Sequence, residues 1–213
     1  SASSRLQKLI QGLLEYSRIT TKTEPFQTVD LMAVFREVLQ DLEVAIEESK
    51  AIIQCEDLPT IEASPVLMRQ LFQNLLSNSL KFRAIDRPPI VKVQAIDVPD
   101  QTPIVGWPEQ ALPGANLPGA IRLTFSDNGI GFEAKFHRRI FGVFQRLHGR
   151  SEYEGTGVGL AICRKIVERH SGQVWAEGRL GEGATFTVIL PRAAHKEQYT
   201  EGGRHERVFS AHR

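Results

Sequence analysis

Apolar residues recur at intervals of three and four in four segments of the chain, and this spacing predicts four amphipathic helices. The second helix begins at Asp30 and continues through Ile46, the third begins at Ser64 with Pro65 in its first turn, and the fourth follows a glycine-rich turn. Aspartate and serine cap the free N–H groups of a helix start, and proline suits its first turn. The first helix, within residues 1–19, has apolar residues on two sides, so it needs a partner helix, as in a bundle or coiled coil. These residues are Leu6, Leu9, Ile10, Leu13, Leu14 and Tyr16.

Short runs rich in β-branched and aromatic residues predict strands between these helices. Two short strands are expected at AIIQC and TIEA, two more around IVKVQAI and AIRLTF, and a final pair in GQVWAEGRLGEGATFTVILP. The segment 98–119 contains five of the eleven prolines and is predicted to be a long surface hairpin loop. Residues 20–27 are predicted to form a linker, and residues 193–213 a disordered tail.

Composition narrows the class of protein. A chain of 213 residues with 41% hydrophobic content can bury one main core. The 26 basic and 25 acidic residues give a net charge of +1, which favours neither nucleic acid nor an anionic membrane as partner. Cys55 and Cys163 are far apart, which argues against a disulfide framework or a zinc site. With no signal peptide and no membrane-length apolar run, the sequence predicts a soluble, cytoplasmic protein.

A glycine-rich turn precedes the fourth helix. In GTGVGLAI, Gly155, Gly157 and Gly159 lie within five residues, where each glycine costs backbone entropy and adds no packing. Such a cluster suggests that the backbone approaches a ligand closely, and the positive end of the following helix favours an anion such as phosphate. The spacing matches neither the P-loop nor the dinucleotide fingerprint, so a plain glycine-rich loop remains an alternative.

The third helix carries a polar stripe beside its apolar face. Asn74, Asn78 and Lys81 lie within an arc of about 60° at 100° per residue. Two amides and an ammonium group in this arrangement could ligate Mg²⁺ and pair with phosphate oxygens. A solvated helix edge is the alternative interpretation.

The segment DNGIGF follows a predicted strand. Gly129 and Gly131 permit a tight turn that leaves the carboxylate of Asp127 facing a pocket, although D-N-G is also a common turn sequence. The polar helix, this turn and the glycine-rich turn follow one another in a fixed order, which carries more information than each segment alone.

In that order the sequence resembles a known family. NLLSNSLKF, DNGIGF, IFGVFQRLH and GTGVGLAI are similar to the N, G1, F and G2 boxes of sensor histidine kinases of two-component systems. FQRLHGRSEYEGTGVGLAICRKIVERH is most similar to the phytochrome-like and PAS-linked kinases. The resemblance covers the chain from Ser1 to about Arg192, apart from the proline-rich hairpin. It implies an α+β Bergerat (GHKL) sandwich, with a mixed sheet packed on helices, in residues 28–192. Residues 1–19 would be the second helix of the dimerisation and phosphotransfer hairpin.

The resemblance also implies roles for single residues. Asn78 would ligate Mg²⁺ with help from Asn74, Lys81 would contact the phosphates of ATP, and Asp127 would accept the adenine N6 amino group. Guanine has a carbonyl there, so a fixed carboxylate would favour ATP over GTP. The further nucleotide-site residues that it implies are Gly129, Gly131, Gly155, Thr156, Gly157, Gly159, Leu160 and Thr185.

In the same family the segment from about residue 133 to 156 is a mobile lid over the triphosphate. The resemblance implies that Phe141 and Phe144 anchor this lid to the core and that Arg146 reaches toward the γ-phosphate. Many relatives have an acidic residue where this chain has Gly142, so a lid contact made by that acid is absent here.

The family's phospho-accepting histidine lies on the first hairpin helix and is followed by an acidic residue. No histidine of this chain has that context, so the chain is expected to begin after it and to be inactive in autophosphorylation. The implied partners are ATP, the histidine-bearing hairpin of the same protein, a response regulator receiver domain and, in the full-length protein, a second copy. Each of the six histidines is expected at the surface: His137, His148, His170, His195, His205 and His212.

Two other functions compete with the kinase. ATPases of the gyrase, Hsp90 or MutL type place a glutamate four residues before the magnesium-binding asparagine, where this chain has Asn74. An amide cannot take a proton from water, so hydrolysis should be slow and transfer to a better nucleophile preferred. An inert dimerisation or docking module that keeps the fold would show decayed motifs, whereas these four are intact.

Overall fold

The computed structural model describes residues 2–21, 25–98, 119–145, 147 and 156–193. Arg146, Gly155, most of the 98–119 segment and residues 194–213 lie outside this part of the chain. The described elements are α1 (Ala2–Thr21), β1 (Gln27–Asp30), α2 (Leu31–Asp41), α3 (Glu43–Ser49), β2 (Ile52–Cys55), β3 (Thr60–Ala63), α4 (Pro65–Lys81), β4 (Ile90–Val98), β5 (Ala120–Asp127), α5 (Gly159–Arg169), β6 (Gln173–Arg179) and β7 (Gly183–Pro191), with short 3₁₀ helices at Ala134–Phe136 and Arg139–Phe141.

A five-stranded mixed sheet carries the helices on one face. The strand order is β2-β4-β5-β7-β6, with β2 parallel to β4 and the other pairs antiparallel. Alternate residues of β5, namely Ile121, Leu123 and Phe125, are fully buried in the core with residues of the helices, as expected for a sheet with one covered face. The α+β architecture expected from the sequence is confirmed.

Helix α4 forms as its sequence predicts. The Ser64 side chain accepts a hydrogen bond from the Leu67 N–H group, and Pro65 is the first helical residue. The Phe72 ring meets the Phe125 ring edge to face, with centroids 5.1 Å apart. The predicted apolar face is buried, so the side of α4 that carries the polar stripe lies at the edge of the core. The buried face consists of Met68, Leu71, Phe72, Leu75 and Leu76.

Helix α1 packs on α5 along one side. An added Cβ at Gly12 would lie 3.4 Å from the Val158 side chain, Ile19 is buried, and the Arg169 guanidinium donates to the Ile19 carbonyl. The other side of α1 is apolar and exposed, in agreement with the two-sided pattern of its sequence. Its exposed residues are Leu6, Ile10, Leu13 and Leu14. None of the described helices is apolar over a stretch long enough to cross a membrane, and both cysteines are free.

Two elements differ from the prediction. The helix expected from Asp30 through Ile46 is divided at Leu42, whose φ of −99° and ψ of 5° leave the helical range. The segment beyond it, α3, has no buried residue, whereas α2 has four. Strand β1, Gln27–Asp30, was not predicted, and only its first residue falls in the expected linker; it pairs antiparallel with β3. A four-residue strand is too short for alternation to reveal it.

His170 is buried, contrary to the surface position expected for it. Only 3% of the residue is exposed, and its ring stacks on Phe26 with centroids 4.5 Å apart. Its Nε2 accepts a hydrogen bond from the Ser64 N–H group at 3.1 Å, and its Nδ1 lies 2.8 Å from the Ile166 carbonyl oxygen. Because Nε2 accepts, the ring is neutral and Nδ1 carries the proton. Burial is the main cause that lowers the pKa of His170, opposed by the Ile166 carbonyl and assisted by the charge of Arg169.

We therefore expect acid to destabilise the fold through His170. The unfolded chain binds a proton at this histidine below an ordinary pKa of about 6.5, whereas the folded chain resists it. The contribution is complete above that value and is lost as the pH falls toward the lowered folded pKa, at up to about 1.4 kcal/mol per pH unit. Urea unfolding of wild type and His170→Gln at a series of pH values measures it. The variant should be less stable at neutral pH but lose less stability on acidification. His137→Gln is the control, and equal acid sensitivity of all three proteins would contradict this role of His170.

Candidate functional site

A cavity of about 310 Å³ lies between α4, the turn after β5 and the start of α5. Its size is in the range of small-molecule sites, which begin at about 300 Å³. Nine residues singled out from the sequence line it: Asn74, Asn78, Lys81, Asp127, Gly131, Thr156, Gly157, Gly159 and Leu160. They are joined by Ser77, Phe82, Phe132, Ile140, Gln145, Leu147, Ala184 and Phe186. Polar groups from three separate chain segments thus converge on an apolar cavity.

The Asp127 carboxylate lies at the end of β5 and is held on both oxygens. Its Oδ1 accepts hydrogen bonds from the Gly129 N–H group at 2.9 Å and the Ala184 N–H group at 3.3 Å. Its Oδ2 lies 3.3 Å from the Ser79 hydroxyl. Burial raises the pKa of Asp127, while the hydrogen bonds from Gly129, Ala184 and Ser79 act in the opposite direction. The result is a fixed acceptor in a largely desolvated position.

The two glycines of the DNGIGF turn are required by the protein's own backbone. A Cβ added at Gly129 would lie 2.4 Å from the Phe82 carbonyl oxygen. One added at Gly131, where φ is +62°, would lie 1.9 Å from the Arg179 carbonyl oxygen. Close packing of this turn on the end of α4 and on the β6–β7 turn therefore requires both glycines, and the approach of their backbone to a nucleotide stays a prediction.

Arg87, which sequence reasoning missed, ties the same turns together. Its guanidinium donates to the Asn128 carbonyl at 3.0 Å and also reaches the carbonyls of Gly129 and Gly181. The Asn128 side chain in turn accepts from the Ile90 N–H group at 2.8 Å. These contacts fix the backbone that presents Asp127. No periodic pattern marks an arginine in a short connection, so the sequence offered no signal for it.

The polar stripe of α4 faces the cavity, as predicted. The Asn74 amide nitrogen is buried beside the Cys163 thiol, a weak hydrogen-bond partner, and makes no hydrogen bond to an oxygen or nitrogen atom of the described residues, so a ligand could complete this polar position. The Lys81 ammonium lies 4.4 Å from the centre of the Phe82 ring. Neutral amide oxygens at Asn74 and Asn78 suit Mg²⁺ that also keeps phosphate and water ligands, so the residues present fit this ion.

Helix α5 presents its N-terminus to the cavity. No described side chain caps it, in contrast to α2 and α4, which Asp30 and Ser64 cap. Gly157 has a φ of +72°, a conformation that favours glycine. Uncapped N–H groups beside a cavity suit an anionic ligand, in agreement with the prediction from the glycine-rich turn.

The remaining predicted site residues differ from one another in burial and in location. Phe141 is buried and meets Phe186 edge to face, with centroids 6.5 Å apart, which agrees with an anchoring role. Phe144 is 50% exposed and has a φ of +61°, so its predicted anchoring to the core is wrong for this structure: the backbone turns its ring toward solvent. Thr185 lies 2.9 Å from the Ser126 hydroxyl and lines a neighbouring, more open cleft instead. Arg146 and Gly155 lie outside the described residues.

Comparison with known proteins agrees with this geometry. Residues 63–194 match the family of histidine kinase-, DNA gyrase B- and HSP90-like ATPases, and the chain belongs to this family. Within this family, the chain matches the catalytic domain of sensor histidine kinases in both fold and sequence.

Cyanobacterial phytochrome A of Nostoc sp. is 38% identical over 199 residues, which are 93% of this chain and 23% of that protein. The chain therefore spans less than a quarter of this relative's length. ShkA, solved at full length in complex with AMPPNP, has a TM-score of 0.66 and 26% identity over 89% of this chain and 36% of that one. Histidine kinase ThkA, solved in complex with response regulator protein TrrA, has a TM-score of 0.64 and 23% identity over 92% and 50%, and shows the fold alone.

Proposed function

We propose that this chain binds Mg·ATP and donates the γ-phosphoryl group to a histidine on a helical hairpin of the same protein. The observation that carries the proposal is the convergence on one cavity of the Asp127 carboxylate, the amides of Asn74 and Asn78, and the uncapped start of α5. In the proposed complex Asp127 would accept from the base, and the groups of α4 and of the start of α5 would contact the phosphates and the metal ion.

Asp127 would recognise the adenine ring. Its carboxylate is held in place by backbone N–H groups, so it can accept a hydrogen bond from an exocyclic amino group without reorganising. Guanine would place a carbonyl oxygen against this acceptor, and two acceptors repel one another. This contrast supports a preference for ATP over GTP.

Lys81 and the start of α5 would hold the triphosphate. The ammonium supplies one positive charge, and the N–H groups of the first turn of α5 supply donors and the positive end of the helix dipole. Asn78, with Asn74, would hold the magnesium ion, which on binding would neutralise charge on the phosphate oxygens. Phosphoryl transfer depends mainly on positioning and electrostatics, and these groups provide both.

Helix α1 supports the proposed division of the chain. Its exposed apolar side, which includes Leu6 and Ile10, suits a second helix, so residues 1–19 would complete a dimerisation and phosphotransfer hairpin beside an ATP-binding domain at 28–192. The residues between the end of α1 at Thr21 and the start of β1 at Gln27 would be the linker, and residues 193–213 a tail. A receiver domain of a response regulator would take the phosphoryl group onward, as the ThkA–TrrA complex suggests by analogy, in a cytoplasmic homodimer.

An ATPase is the second candidate, because the matched family includes gyrase- and HSP90-like enzymes. Asn74 lines the cavity where those enzymes would need a base. An amide cannot accept a proton, so we expect slow hydrolysis.

Incubation with γ-labelled ATP tests the kinase. We expect little label on this chain alone, since none of its histidines has the context of a family acceptor, and slow release of phosphate. Adding the hairpin that carries the acceptor histidine should yield an acid-labile, base-stable label on the hairpin. Transfer should be weak because the reaction is then bimolecular. Label on this chain alone would overturn the assigned acceptor, and rapid phosphate release without transfer would favour the ATPase.

A further inference from the structure

Ser79 is a buried polar residue on the apolar side of α4. Only 2% of it is exposed, and Leu75, Leu76 and Leu80 around it are also buried. A hydroxyl in such a position costs free energy unless it is hydrogen-bonded. Ser79 directly follows Asn78 in the chain, and no local pattern distinguishes it from other helix serines.

Its hydroxyl has two acceptors within reach. The Oγ atom lies 3.3 Å from the Leu75 carbonyl oxygen and 3.3 Å from Asp127 Oδ2. Serine commonly donates to a carbonyl one turn earlier in a helix, and that contact alone would satisfy it. The second contact, to Asp127 Oδ2, instead joins Ser79 to the carboxylate that is proposed to bind the base. Backbone N–H groups of Gly129 and Ala184 already hold Oδ1, and among the described residues Ser79 is the hydrogen-bond partner of Oδ2.

We propose that Ser79 is a positioning residue for base recognition: its hydroxyl holds Asp127 Oδ2 and favours the ionised carboxylate that accepts the amino group of adenine. The proposal rests on the function proposed above and adds to it a residue that does not itself contact the nucleotide. It explains why a polar side chain occupies a core position of α4.

The proton arrangement of this site follows from its three oxygen atoms. When Asp127 is ionised, the Ser79 hydroxyl donates to Oδ2. When Asp127 is protonated, its Oδ2–H group can donate to Ser79 Oγ, and the hydroxyl then donates to the Leu75 carbonyl. The ionised carboxylate of the first arrangement is the stronger acceptor for the adenine amino group, because a protonated carboxyl group keeps only neutral acceptor oxygens. Removing the hydroxyl weakens the ionised state, so Asp127 should then protonate at higher pH.

Other charged groups around Asp127 are unaffected by a substitution at Ser79. Lys81 of α4 lines the same cavity. His137, Glu177, Arg179 and Glu182 line the adjoining cleft that Asp127 also borders. Because they are present in both proteins, a difference in pH dependence between wild type and a Ser79 variant reports on the hydroxyl.

Calorimetric titration with Mg·ATP at a series of pH values from neutral downward tests the proposal, because burial raises the pKa of Asp127 above that of an ordinary aspartate. Ser79→Ala should weaken binding about three- to tenfold at pH 7.5, the range for a typical intramolecular hydrogen bond, because Ser79 acts on the nucleotide only through Asp127. The weakening should increase on acidification. Ser79→Thr, which keeps the hydroxyl, should restore the affinity. Ser49→Ala removes a helix serine whose hydroxyl donates to the Ala45 carbonyl and should leave binding unchanged.

Thermal unfolding without nucleotide separates positioning from stability. Ser79→Ala gains helix propensity but leaves the buried Asp127 Oδ2 without its hydrogen bond, so it should unfold slightly earlier than wild type, remain folded at the temperature of the titration, and bind ATP more weakly. If Ser79→Ala binds ATP with wild-type affinity and pH dependence, the proposal is wrong while the proposed function stands. If wild type fails to bind Mg·ATP, the proposed function fails and this role of Ser79 with it.

Discussion

Replacing Asp127 by alanine is expected to weaken Mg·ATP binding by about 1.5 to 3 kcal/mol, the range for a hydrogen bond to a charged group. The carboxylate is the fixed acceptor for the adenine amino group in the proposed complex, and its two backbone contacts hold it in the apolar cavity. Isothermal calorimetry at neutral pH measures the loss. Affinity for Mg·GTP, which we expect to be low in wild type, should change much less, so the preference for adenine should shrink together with the affinity.

Two comparisons make this test specific. Asp97→Ala removes a carboxylate that pairs with Arg192 at the surface and should leave ATP affinity unchanged. In wild type, ATP affinity should fall on acidification at a higher pH than for an ordinary aspartate, because burial raises the pKa of Asp127. Equal affinities of wild type and Asp127→Ala would remove the base-recognition role from this residue.

Replacing Gly131 by alanine is expected to destabilise the fold by about 3 kcal/mol or more, as for other steric conflicts at a special backbone conformation. The added Cβ would lie 1.9 Å from the Arg179 carbonyl oxygen and 2.7 Å from the Gly183 carbonyl oxygen, both of them backbone atoms. Either the DNGIGF turn or the β6–β7 turn must move. Urea unfolding measures the loss of stability, and the remaining folded protein should bind ATP more weakly because the displaced turn carries Asp127.

Gly181 offers a matched control. Its φ of +78° is similar to that of Gly131, but an added Cβ would meet nothing within 4 Å. Gly181→Ala should therefore cost only the left-handed backbone conformation, about 1 to 2 kcal/mol. Equal losses at the two positions would show that backbone conformation, and not the contact between the turns, is what Gly131 provides.

The local features of this fold were predictable from the sequence. The cap at Ser64, the proline that follows and the three- and four-residue spacing of α4 are encoded within one segment, and they define which side of the helix carries Asn74 and Asn78. The site motifs converge on one cavity because the order of elements in the family fold brings them together. For the same reason the resemblance supplied the fold class correctly.

Features that depend on distant contacts were not predictable. His170 has its hydrogen-bond donor at Ser64, 106 residues away along the chain, and this bond satisfies the buried ring. Nothing in the sequence around His170 predicts this partner. The need for glycine at position 131 comes from the Arg179 carbonyl. Ser79 looks like any other helix serine until β5 places Asp127 beside it. Such pairings exist only in the assembled structure.

The central claim is that this cavity is the ATP site, and hydrogen exchange of wild type with and without nucleotide tests it most directly. With saturating Mg·ATP we predict slowed exchange at the backbone N–H groups of the DNGIGF turn and of the first turn of α5, because ligand binding suppresses local opening there. Mg·GTP at the same concentration should protect these groups much less. Binding of Mg·ATP that leaves exchange in both segments unchanged, or that protects a different face of the protein, would contradict the assignment of this cavity.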